Sequence, residues 1–226
     1  MTATLGILML DTNFPRIRGD VGNPNTWDFP VTYGIVRGAS AERAVLHDPA
    51  ALLAPFVEEG RRLIERGAEG IATTCGFLSP LQAELAEVLG VPVATSALMQ
   101  APLIAATLPA GRRIGILTIS AATLTSPHLA AAGVPEGTPV EGVDGGHFAE
   151  TILRDRTTLD PVRCREELVA GAERLMAQGG IGAILLECTN MPPWATDIRA
   201  AAGVPVFSIV TFLNWFQAGL RPGRFG

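Results

Sequence analysis

The chain has 226 residues, of which 48% are hydrophobic and 17% charged, with a formal net charge of −5 and a pI near 5.2. That composition excludes a disordered chain, and the acidic balance argues against a protein that grips phosphate backbones, so no nucleic-acid partner is expected. All 17 basic residues are arginines, and the absence of lysine excludes both a Schiff base to a carbonyl substrate or pyridoxal phosphate and a P-loop.

The first ten residues, MTATLGILML, are apolar, carry no basic flank or small-residue cleavage site, and stop at Asp11. They predict a buried strand around Leu5-Gly6-Ile7-Leu8 rather than a signal peptide. Residues 14–33 are rich in turn formers and predict an irregular lid, with Arg16 and Arg18 available to an acidic group of a ligand. Asp48-Pro49 opens a helix over 49–66 that Gly67 stops. A strand over 70–74 then ends at Cys75, and Ser79-Pro80-Leu81-Gln82 has the pattern of a capping box. Residues 91–110 and 200–220 carry no charge. Pro92, Pro102 and Pro109 in one, and Pro205, Asn214 and Gln217 in the other, favour a buried strand running into a buried helix over a membrane span. The expectation is a cytoplasmic protein with reduced cysteines and no membrane partner.

The second half repeats the first. Ile114-Gly115-Ile116-Leu117 matches the first strand, Asp160-Pro161 opens a helix over 161–178 before Gly179, and a strand over 183–187 ends at Cys188. Pro80 and Pro193 each lie five residues past a cysteine, and Gly-Val-Pro-Val follows at 90–93 and 203–206, so the offset between halves drifts only from 109 to 113 residues. Strand–helix alternation with short apolar runs predicts an α/β fold of two similar Rossmann/flavodoxin-like lobes with parallel sheets. Residues 1–96 with 209–226 form the first lobe, carrying Cys75, and 97–208 the second, carrying Cys188. Ligands bind outside the carboxyl ends of such strands, which puts both cysteines on one cleft.

A thiol at a strand end beside a helix N-terminus is expected to have a lowered pKa. Two facing thiols can take a proton from a carbon on one side and return one on the other, without cofactor or metal. Donors for a carboxylate or enolate are in supply at Thr74, Gly76, Thr118, Ser120, Thr123, Thr189 and Asn190, with Asp11 and Asn13 at the end of the first strand. Cys164 falls within a helix and reads as core. His47, His128 and His147 read as structural, and nothing has metal-ligand spacing. Glu187 would raise the pKa of a neighbouring thiol, but strand alternation points its side chain away from that of Cys188. Trp27 and Trp194 are candidates for the rim of the cleft.

Thr-Thr-Cys-Gly at 73–76, Glu-Cys-Thr-Asn-Met-Pro at 187–192 and the repeat that keeps them in step resemble the cofactor-independent aspartate/glutamate racemase superfamily, which also holds hydantoin racemases, maleate isomerases and arylmalonate decarboxylases. The resemblance implies a pseudo-twofold pair of lobes, no cofactor and a homodimer. It also implies Cys75 and Cys188 as opposed bases, with donors at Gly76, Phe77, Ser120 and Thr189 holding the substrate. Glutamate racemases follow the second Cys-Thr with histidine, where this chain has Asn190, and open Asp-Ser-Gly, where it reads Asp11-Thr12-Asn13. Both departures lean away from a protonated-amine substrate. Decarboxylases of the superfamily keep only the second cysteine, so Cys75 counts against that reaction. The expected function is a racemase or epimerase at a carbon α to a carboxyl or amide carbonyl of a small molecule. Maleate-type cis–trans isomerisation is the alternative, with decarboxylation of malonate-like acids or plain small-molecule binding behind it.

Overall fold

The computed structural model describes residues 2–47 and 49–223. The first half contributes strands β1 (Leu5–Leu10), β2 (Val31–Val36), β3 (Gly70–Thr73) and β4 (Val93–Ala94), with helices α1 (Ala41–Leu46), α2 (Leu53–Glu65), α3 (Gln82–Leu89) and α4 (Ala101–Thr107). The second contributes β5 (Arg113–Thr118), β6 (Val140–Gly142), β7 (Ile181–Leu186) and β8 (Val206–Phe207), with α5 (Ser126–Ala131), α6 (His147–Leu153), α7 (Pro161–Ala177), α8 (Ala195–Ala202) and α9 (Ile209–Leu220). Two parallel four-stranded sheets result, ordered β2-β1-β3-β4 and β6-β5-β7-β8, so both halves have the same topology. Strands β1, β3, β5 and β7 are almost wholly buried, which is why they read as unbroken apolar runs rather than alternating ones.

In each sheet the chain leaves the central strand towards one edge and returns on its other side. The resulting switch points lie between β1 and β3 and between β5 and β7, where crevices form beyond the strand ends. The register pairs Leu8 with Thr73 and Leu117 with Leu186, which delivers residues 74–76 and 187–190 to those crevices.

Several expectations are refined. Asp48 lies outside the described residues. The segment 49–66 splits into a 3-10 turn, Pro49–Leu52, and α2, and Pro55 falls in the first turn of α2, where no backbone donor is needed. Gly67 (φ +94°) and Gly179 (φ +76°) are left-handed as predicted for helix stops. Asp160 accepts from the backbone N–H groups of Val162 and Arg163 at 3.0 and 3.1 Å. The capping box at Ser79 does not form. Ser79 donates to the His128 carbonyl at 2.9 Å, and Gln82 ties α3 to the strand edge through the Val93 carbonyl and the Thr95 N–H. Strands β2 and β6 were not anticipated, because one begins inside the turn-rich stretch and the other is three residues long.

The uncharged stretches cross between the halves. Helix α4 packs against β5 and α9 against β3, and no helix among the described residues is long and apolar enough to span a membrane. Buried Gln100 joins the two crossings. Its amide donates to the carbonyls of Ala97 and Ser208, at 3.2 and 3.0 Å, and accepts from Thr211 at 3.1 Å. Replacing Gln100 by Ala strands these groups, and urea unfolding of the variant is expected to show a loss of about 1–3 kcal/mol.

Candidate active site

Both strand-end cysteines open into one cavity between the lobes. Cys75 and Cys188 are buried, with 6% and 7% exposure, and line a closed space of about 20 Å³, roughly the room one water needs. Its polar wall is Thr74, Gly76, Glu187, Thr189 and Asn190; Phe14, Phe77, Ala41, Val45 and Ile152 are among its apolar lining. The lobes are sutured beside the thiols: Thr189 donates through Oγ1 to the Thr74 carbonyl at 2.7 Å, while Thr74 Oγ1 accepts from the Leu10 N–H at 3.1 Å.

The repeat persists at atomic detail, since each sulfur meets the backbone N–H two residues on, that of Phe77 for Cys75 and that of Asn190 for Cys188. These bonds favour thiolates, as the sequence suggested, but burial overrides them. Desolvation, followed by the charge of Glu187, pushes the Cys75 thiol up to about 12 and the Cys188 thiol well above its usual range. The expected lowering is therefore corrected: in this closed cavity both thiols are held protonated.

Glu187 is the residue that sequence reasoning misplaced. Strand β7 ends at Leu186, so alternation no longer governs residue 187, and the carboxyl turns into the cavity shared with both cysteines. Thr118 donates to its Oε2 at 2.7 Å, whereas Oε1 is fully buried without a hydrogen-bond partner. Burial raises its pKa from about 4.5 to about 7, against the opposing bonds from Thr118 and the Ile119 backbone. Gly76 makes room for it: a Cβ there would sit 2.1 Å from Glu187 Oε1 and 2.6 Å from the Glu187 carbonyl oxygen. At the equivalent position before Cys75 stands Thr74, so the two thiols have unlike neighbours.

A buried chain of polar groups runs outward from Cys188. Its thiol donates to Asn190 Oδ1 at 3.5 Å, Asn190 Nδ2 donates to Asp20 at 2.5 Å, and Arg16 donates to Asp20 at 2.9 Å. The guanidinium of Arg16 also lies 4.5 Å from the centre of the Phe14 ring. The stretch expected to be an irregular lid is tied down along its length by internal hydrogen bonds. Val21 and Trp27 are buried, and the Trp27 indole and Tyr33 hydroxyl both donate to the Val21 carbonyl. Arg16 is engaged by Asp20 and Thr12, and Arg18 is exposed.

The other candidates lie further out. Asp11 is exposed and accepts from the Gly38 N–H at 3.2 Å, and Asn13 joins the lobes through Asp155, a residue at φ +49°. Thr118 stands behind Glu187, Ser120 donates to Asp144 at 2.5 Å, and Thr123 has a buried hydroxyl without a partner beside a separate cavity that also contains His47 and His128. His147 accepts from the Asp160 N–H, Trp194 packs on Phe148, and Cys164 is core of α7. Among the described residues no group of three or more His, Cys, Asp or Glu is arranged to hold a metal.

Comparison with known proteins places this geometry. The family model described as Asp/Glu/Hydantoin racemase matches residues 96–215. A dimethylsulfoniopropionate lyase of Durusdinium sp. clade D is 28% identical over 99% of this chain and 77% of its own length. Dimethylsulfoniopropionate lyase 6 of Emiliania huxleyi (strain CCMP1516) is 32% identical over 99% of this chain, which spans 61% of that relative. Among solved structures, a sulfate-associated variant of arylmalonate decarboxylase superposes with a TM-score of 0.64 at 21% identity, covering 97% of both chains, a likeness of fold.

Two outcomes test the cavity. Gly76→Ala forces a Cβ onto Glu187, and thermal and urea melts are expected to show a loss of about 1–3 kcal/mol. For Glu187 the sign follows from a folded pKa above the unfolded one: the penalty is absent below about pH 4.5 and complete above about pH 7. Wild type is therefore expected to lose stability relative to Glu187→Gln as pH rises through that window, and urea titrations at several pH values read the difference.

Proposed function

The chain belongs to the Asp/Glu/hydantoin racemase family, and on that premise we propose that it is a cysteine-dependent carbon-acid enzyme that deprotonates the carbon α to a carboxylate, with β-elimination of dimethylsulfoniopropionate as its reaction. The observation that carries the reading is the single closed cavity onto which Cys75 and Cys188 both open. Similarity along almost the whole chain to dimethylsulfoniopropionate lyases supports the choice of elimination as the outcome.

The electrostatics favour a substrate that brings its own positive charge. With the Cys75 thiol near 12, only about one molecule in 10⁵ would hold a thiolate at pH 7. A cation within a few ångströms of sulfur favours the ionised form by about 1–3 pKa units. A sulfonium group does this, and the lining includes the aromatic side chains of Phe14 and Phe77. The thiolate takes the α proton, the C–H electron pair becomes the double bond to the β carbon, and the C–S pair leaves on dimethyl sulfide, giving acrylate. In this reading the carboxylate, whose charge grows as the α carbon gives up its proton, is received by backbone N–H groups at the start of the 3-10 turn Gly76–Leu81 and by the Thr189 region, both of which line the cavity.

Racemisation or epimerisation is the second reading, favoured by thiols at matching repeat positions, since elimination needs one base and stereoinversion two. Both begin with the same proton transfer, and one experiment separates them. Enzyme is incubated in D₂O with dimethylsulfoniopropionate, aspartate, glutamate, a 5-substituted hydantoin and maleate, with headspace gas chromatography beside proton NMR. Dimethyl sulfide and acrylate from the first compound, reduced at least 10²-fold in Cys75→Ser or Cys188→Ser, are the expected result. Deuterium at the α carbon of an amino acid or hydantoin without sulfide release would favour racemisation, and conversion of maleate the cis–trans isomerase. Inertness of wild type towards the whole panel would overturn the reading.

A further inference from the structure

Glu187 remains outside the mechanism as written, yet its placement suits a role in it. It is a fully buried carboxyl with one oxygen held by Thr118 and the other without a hydrogen-bond partner, in a cavity whose remaining titratable lining is the two thiols. The bare oxygen lies where the side chain of residue 76 would begin, in the cavity it shares with Cys75 though not hydrogen-bonded to that thiol, and glycine at 76 is what admits it. Building on the cysteine-base reading above, we propose that Glu187 is the proton acceptor for Cys75, which makes Cys75 the thiolate that attacks the α proton and Glu187 the route by which the proton leaves.

The step balances. When side-chain rotation brings the two groups into contact, the proton moves from Cys75 Sγ to Glu187 Oε1, so thiol plus carboxylate becomes thiolate plus carboxylic acid, and the cavity holds one negative charge before and after. No ion crosses the apolar lining, which removes the largest cost of making a thiolate there. Once Cys75 has taken the α proton of the substrate it is a thiol again. The carboxylic acid gives its own proton to water when the cavity opens for product release, and a pKa near 7 suits that return at neutral pH.

The alternative is that Glu187 acts only as a charge, and the two roles have opposite signs. A fixed negative charge suppresses both thiolates, so removing it speeds reaction at Cys75 and Cys188 alike. A proton acceptor promotes the Cys75 thiolate, so removing it slows reaction at Cys75. The groups facing these thiols are Glu187 and Arg16 for Cys75, and Glu187, Cys75 and Asp20 for Cys188. Glu187→Gln keeps the shape and an acceptor for Thr118. The test is alkylation by iodoacetamide from pH 5.5 to 9, followed at each cysteine by peptide mass spectrometry. Cys188 normalises for opening of the cavity, and Cys164, away from it, serves as control.

In wild type the Cys75 rate, relative to Cys188, is expected to rise through about pH 7. In Glu187→Gln it is expected to lose that inflection and fall at least 10-fold at pH 8, while the melt shows a folded protein. Faster alkylation of Cys75 in the variant, or an unchanged rate, would overturn the assignment. The measurement uses no substrate, so it stands or fails separately from the elimination reading. Where sulfide release is found, the variant is expected to lose kcat about 10²-fold or more with little change in KM.

Discussion

A small, buried cavity between the lobes tolerates little negative charge, and most of the site follows from that limit. Two thiols and a carboxyl compete for ionisation in a space of about 20 Å³, and desolvation raises all three. The oriented N–H groups of Phe77 and Asn190 ease the charged state of each sulfur without overcoming burial. Burial thus favours the protonated form of both thiols. In the reading proposed above, Glu187 takes the proton of Cys75, and a substrate carrying a cation would relieve the remaining constraint that a neutral one would leave in force.

The fold supplies this cavity through its connections. Parallel sheets with a switch point beside each central strand leave crevices at their carboxyl ends, and two such crevices set against each other make a chamber. Crossing helices α4 and α9, joined through Gln100, and the bond from Thr189 to the Thr74 carbonyl tie the halves together. The strap over residues 14–33 closes one flank, and its buried Asp20 reaches Asn190 beside Cys188. Any opening large enough for a substrate must therefore act against named contacts, among them the Asn13–Asp155 clasp at the outer edge.

Much of this was legible in the sequence because duplication wrote it twice. The central strands, the helix stops at Gly67 and Gly179 and the shared cavity of Cys75 and Cys188 all follow from paired motifs at a nearly constant offset. What escaped has a common cause, in that it depends on where elements end or on contacts distant in the chain. Alternation failed for Glu187 because β7 stops one residue earlier. The turn residues of the strap announced its irregularity but not the bonds that pin it. Asp11, Asn13 and Ser120 have the right chemistry for a ligand, yet Gly38, Asp155 and Asp144 engage them locally or across the lobes.

The duplication is imperfect at one pair that matters. Where the first half has Thr74 before its cysteine, the second has Glu187, so the lobes place a neutral hydroxyl on one side and an acid on the other. Two equivalent thiols would treat the faces of a planar intermediate alike and leave a methylene group's paired hydrogens equally exposed to removal. Unequal neighbours break that equivalence, so the two sides of the chamber differ in charge as well as in position. If the chain is the eliminating enzyme proposed above, that one difference between repeats would lead it to remove a particular one of two prochiral hydrogens, where equal thiols would suit the interconversion of enantiomers.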